Sequence, residues 1–151
     1  MKTSRRDLGV LVLASALLLL YAVQAHWNLE WSLLARAQAD DRYKLASGGV
    51  LAAYLYFQWS PRRRIDPARH RLAGAFAPVV LYAHATRSGY GYLTILCAVY
   101  LGTALAGTLH HPVLLARRRW LFTAWFITHV ALATVLVLLA GYHVVIALAY
   151  E

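Results

Sequence analysis

The sequence is short of acid and nearly without sulfur. Six Asp and Glu stand against fifteen Lys and Arg, and Cys97 is the single cysteine. One cysteine cannot close an internal disulfide, and it excludes a multi-thiolate metal site as well. A GxGxxG turn and a P-loop are both missing, so nucleotide binding has no motif to rest on. Internal repeats of useful length and low-complexity linkers are absent too, and 151 residues make one domain. The formal charge of +9 would suit nucleic acid, but the arginines flank apolar runs, and no nucleic-acid partner is expected.

What the chain has in abundance is hydrocarbon. Hydrophobic residues make up 61% and charged residues 14%, and the apolar ones come in long runs. That pattern predicts an all-α polytopic membrane bundle with five transmembrane helices. The first run, Leu8 to Val23, follows Lys2, Arg5 and Arg6. Ser4-Arg5-Arg6 resembles a twin-arginine export signal, but Asp7-Leu8-Gly9-Val10 lacks the usual aromatic and lysine, and a retained helix is expected. Trp31 to Ala39 reads as a short interfacial helix, in a connection that also carries Trp27 and Tyr43.

Leu45 to Trp59 is the second span, with Gly48-Gly49 and Ala52-Ala53 letting a neighbouring backbone or a flat ligand approach. Pro61 ends it, and Arg62, Arg63 and Arg64 follow. Asp66-Pro67 then reads as an N-cap with proline at the first helical position. The third helix so begun carries Arg69, His70, Arg71, Pro78 and His84, with a kink expected at Pro78 and an end near Arg87-Ser88-Gly89. Tyr92 to Leu109 is the fourth span, closing at His110-His111-Pro112. The fifth runs uncharged from Trp120 to Tyr150 behind Arg117, Arg118 and Arg119. With the N-terminus in and the C-terminus out, eleven Lys and Arg fall on the cytoplasmic side and four (Arg36, Arg42, Lys44, Arg87) outside. The opposite orientation would invert that bias.

Two histidine intervals repeat. His70 and His84 are fourteen residues apart, and so are His129 and His143. Fourteen helical steps return a side chain to within roughly 40° of the same face, about 21 Å along the axis. The third and fifth helices run in the same direction, so matching by depth pairs His70 with His129 and His84 with His143. Each pair can offer two axial nitrogens to one heme iron, and a bundle of facing helices is a common place for such a site. A histidine that simply bonds a neighbouring carbonyl is the bland alternative for any one of them. Depth poses one difficulty: His70 lies between Arg69 and Arg71, while His129 lies ten residues beyond Arg119. Either the fifth helix projects on the cytoplasmic side or the third starts sunk among its neighbours. Arg69 and Arg71 on the inner side, with Arg62 to Arg64, and Arg87 on the outer side are candidate partners for heme propionates. His110 and His111 read as interface residues or as partners of propionates or a quinone, and His26 as solvated. Tyr82, Trp125, Phe126 and Tyr142 are candidates for packing on porphyrin edges.

On His70-Arg71-Leu72-Ala73-Gly74 leading to His84, and on Arg118-Arg119 followed by Trp125, Thr128-His129 and His143, the chain resembles the ferric reductase-like transmembrane domain superfamily. That superfamily includes the NADPH oxidases, the ferric reductases and the heme subunit of the bacterial methionine sulfoxide reductase system. The resemblance covers roughly Leu45 to Val145. It implies a helix bundle with two stacked b hemes, with His70, His84, His129 and His143 in the ligand positions. The family's bundle has six helices, whereas this sequence stops after the fifth run, without a flavin or nicotinamide domain. The resulting expectation is an electron-transfer subunit in a bacterial-type inner membrane, supplied by a quinol or a separate reductase and discharging to a separate acceptor protein. Two alternatives stand beside it: a single-heme, quinol-linked subunit resembling the cytochrome b561 group, and a heme-free membrane scaffold or assembly protein.

Overall fold

The computed structural model describes residues 5–29, 31–59, 66–110 and 117–150, and Arg62 to Arg64 and His111 lie outside them. The described residues form seven α-helices and no strand: α1 (Arg5–Trp27), α2 (Ser32–Ala39), α3 (Asp41–Trp59), α4 (Pro67–Ala75), α5 (Ala77–His84), α6 (Tyr92–Thr108) and α7 (Arg119–Tyr150). Two of them, over Asp7–Trp27 and Arg119–Tyr150, are long and apolar enough to cross a membrane, and Tyr92–Thr108 is a shorter apolar helix. In these two long helices the most apolar stretch is only 17% and 6% buried, whereas the core helix of a soluble protein would be mostly covered. The other expected crossings do not reach that standard. α3 opens on Asp41, Arg42 and Lys44, and the third helix is two short helices.

Side-chain contacts fix the relative directions. Arg71 pairs with Asp7 at 2.8 Å, and the Tyr21 hydroxyl donates to the Ala85 carbonyl at 3.3 Å, so α1 runs parallel to α4 and α5. Ser47 reaches His84 while Tyr54 reaches Ala73, which makes α3 antiparallel to that pair. Trp125 bonds the Ala106 carbonyl and Tyr92 meets His143, so α6 and α7 are antiparallel. The result is five alternating legs, with α4 and α5 forming one leg in two pieces. α1 belongs to this packing: Ala14 and Tyr21 are buried, and Tyr21 joins Ala77, Leu81, Cys97, Tyr100 and Leu136 in the core.

Capping chemistry accounts for the helix ends. Asp66 Oδ1 accepts from the Ala68 amide at 3.1 Å with Pro67 behind it, as the sequence leads one to expect. α1 ends on Asn28 in the left-handed region (φ 52°), where the Leu29 amide reaches back to the Gln24 carbonyl. Between α5 and α6, Gly89 has φ +68°, and an added Cβ would lie 2.9 Å from Leu93 Cβ, so only glycine fits that turn. At the α2–α3 corner, Lys44 bonds the exposed Asp41 carboxylate at 2.8 Å and holds that carboxyl below its usual range.

The third helix differs from expectation. It is interrupted between the two histidines, in the turn before Pro78: it stops at Ala75, turns through Phe76 and restarts at Ala77, and it ends at His84 instead of near Gly89. Proline lacks an amide and crowds the preceding turn, so Pro78 is accommodated within the first two positions of a new helix. The carbonyls around the break find other donors. The Tyr54 hydroxyl donates to Ala73 at 2.8 Å, the Phe76 amide to the same carbonyl at 2.9 Å, and the Tyr100 hydroxyl to Ala77 at 2.9 Å. Tyr54→Phe removes one of these donors without changing shape. It should destabilise the detergent-solubilised protein by about 1 kcal/mol in a denaturant or thermal titration, and no change would mean the Ala73 carbonyl does not depend on it.

Candidate functional site

Four imidazoles meet in two levels between the α4–α5 leg and α7. The ring centroids of His70 and His129 are 6.4 Å apart, and those of His84 and His143 are also 6.4 Å apart. The ring planes cross at 83° and 70°. The depth matching expected from the two fourteen-residue intervals is the one found. All four rings are partly covered rather than turned out to the surface.

The His84–His143 pair is oriented by hydroxyls. Ser47 Oγ lies 3.0 Å from His84 Nδ1, and the Tyr92 hydroxyl lies 3.2 Å from His143 Nδ1. Gly48, next to Ser47, gives the His84 ring its place: an added Cβ there would stand 3.2 Å from His84 Cε1. The His70–His129 pair is seated differently. Trp125 stacks on His129 with centroids 5.8 Å apart and planes at 9°, and its indole donates to the Ala106 carbonyl at 2.7 Å. Gly107 faces the same ring, with an added Cβ 3.5 Å from His129 Cε1. His129 Nδ1 is buried and makes no hydrogen bond of good geometry, although the Thr103 backbone is near enough to act on the ring.

A cavity of ≈ 460 Å³ lies at the His70–His129 pair, lined by residues of all five legs, including Tyr54, Gly74, Tyr100 and Leu136 beside the two histidines. That volume lies within the range of cofactor sites, roughly 300–1,000 Å³. Among the described residues no group of three or more His, Cys, Asp or Glu stands ready to hold a bare metal ion.

The other candidates scatter around this centre. Arg71 lines the cavity but is engaged by Asp7, a partner the sequence reading did not consider for it. Arg69 is exposed at the start of α4, and Arg87 is exposed beyond the end of α5. His110 lines the cavity and packs on Trp125 at 4.6 Å, while His26 is exposed and packs on Trp27. Trp125 and Phe126 line the cavity, whereas Tyr82 packs edge-on against Tyr21, and Tyr142 against Tyr92. α7 begins ten residues before His129, about 15 Å of helix, whereas α4 begins three residues before His70. Ser47 and Tyr92 were not singled out by the sequence. A hydroxyl near one end of an apolar run is a weak signal, and only the register between helices gives it a partner.

No protein-family model, curated protein or solved structure matches this chain. The two glycines offer a check of the site's geometry. Gly107→Ala meets only ordinary contact and should stabilise α6 by about 0.5–1 kcal/mol through helix propensity. Gly48→Ala presses on a His84 ring already tied to Ser47, so the same gain should vanish or reverse in parallel thermal melts. Equal gains at both positions would contradict the close approach of His84 to α3.

Proposed function

We propose that this chain is a transmembrane b-type cytochrome that passes electrons across a bacterial-type inner membrane as a subunit of a redox complex. In this reading, one heme lies between His70 and His129 and a second between His84 and His143. The observation that carries the proposal is the recurrence of one spacing at two levels. With metal–imidazole bonds of about 2 Å and ring nitrogens about 1 Å from their centroids, two axial ligands on opposite sides of one iron have centroids roughly 6 Å apart. Both pairs have that separation. Edge-to-face ring packing covers roughly 4.5–7 Å, so the weight of the proposal rests on the same separation recurring at both levels.

Several features of the residues fit the cofactor. A porphyrin brings four nitrogens of its own, so two imidazoles complete the coordination where a bare ion would want three or more protein ligands. Gly48 and Gly107 leave room at the rings of His84 and His129. Heme held between two imidazoles supplies one-electron exchange with no open position for a substrate, so the chain is read as an electron carrier. The protein's own part is to hold the rings, separate the two levels by about 21 Å along α7 and keep water away. Arg87 is the outer candidate for propionates. On the inner side Arg69 is the better candidate, because Arg71 already pairs with Asp7. Electrons would come from a quinol or a separate reductase and leave to a separate acceptor.

The five alternating legs suit five crossings, and the arginine bias suits a cytoplasmic N-terminus and an external C-terminus. The resemblance to the ferric reductase-like superfamily supports the two-heme reading, although that family's bundle has six helices. An alkaline phosphatase fused behind residue 150 should be active in a bacterial host, and a silent fusion would reverse the orientation. Purified protein should carry two hemes per chain by pyridine hemochrome, and His129→Ala should reduce that to one. One heme in the wild type would favour the single-heme subunit, and none the scaffold.

A further inference from the structure

The outer histidine pair has a partner whose role follows from counting protons. Ser47 Oγ has one hydrogen, and it lies 3.2 Å from the Lys44 carbonyl one turn back on α3. Serines within helices commonly donate to that turn. With its proton used there, the oxygen has only lone pairs left for His84 Nδ1, 3.0 Å away. The proton between them then belongs to the imidazole, which leaves Nε2 as the unprotonated nitrogen. Beside it, Gly48 has no side chain to push the ring off this seat.

Resting on the two-heme reading, we propose that Ser47 is a positioning residue that holds His84 as its Nδ1–H tautomer, presents Nε2 to the outer iron and lowers the reduction potential of that heme. A ligand histidine that donates its other N–H is fixed in orientation and becomes a more basic ligand. A more basic imidazole favours the ferric over the ferrous state, so the potential falls. The Tyr92 hydroxyl, 3.2 Å from His143 Nδ1, is placed to act alike on the opposite ligand. The hydrogen bonds of Ser47 go to the Lys44 carbonyl and to His84, not to His70 or His129, so a change at Ser47 acts on one level.

Redox titration of Ser47→Ala tests this, in the wild-type background and in His129→Ala, where only the outer heme remains. The variant should keep its hemes, shift the outer midpoint to a more positive potential, alter the outer low-spin electron paramagnetic resonance signal and leave the inner midpoint in place. Ser47→Thr, which keeps the hydroxyl, should restore the wild-type values. Two bound hemes with both midpoints unmoved would overturn the role of Ser47 while leaving the two-heme reading intact. Absence of heme from the wild type would overturn both. If Ser47→Ala loses the outer heme, retention by Ser47→Thr supports the hydrogen bond, and loss in both contradicts it.

Discussion

The whole arrangement depends on holding imidazoles at a fixed distance inside apolar surroundings. An imidazole among hydrocarbon side chains is costly unless its nitrogens find partners, and helices alone provide few, since their backbone groups are already used. Here two pairs of rings are kept 6.4 Å apart and partly covered, by elements that otherwise share little sequence character. The divided α4–α5 leg carries one ring of each pair, and the single long α7 carries the other.

Much of the rest serves that spacing. The leg is broken at Phe76 between His70 and His84, yet both rings meet partners fourteen residues apart on an unbroken helix. Tyr54 and Tyr100 hold the break from α3 and α6 by bonding carbonyls on either side of it. At the His84 end, Gln38 on α2 donates to the Tyr82 and Ala83 carbonyls and accepts from the Thr86 hydroxyl, tying down the end of α5. At the opposite end the Asp7–Arg71 pair joins α1 to α4 next to His70. Each histidine on the broken leg therefore has a polar clamp within a few residues.

Local chemistry made much of this legible from sequence. Asp66-Pro67 announced the start of α4, and Trp31 to Ala39 announced α2 to within a residue. The two histidine intervals carried further than such caps, because helical periodicity turns a residue count into a face and a height. What sequence could not supply was register between helices. Arg71 read as a propionate partner because nothing local pairs it with Asp7. Ser47 and Tyr92 looked like ordinary polar residues near span ends until His84 and His143 came to lie against them. Pro78 signalled a disturbance, but whether a helix bends or restarts depends on which neighbours can bond the released carbonyls, and those are tyrosines on other legs.

Electron paramagnetic resonance of the oxidised protein reads what lies between the paired rings. Two imidazoles on one iron give a low-spin ferric signal, and planes crossed at 83° and 70° should make it strongly anisotropic. The account predicts two such signals, both lost on reduction. A high-spin signal from five-coordinate iron, or no iron signal, would contradict it.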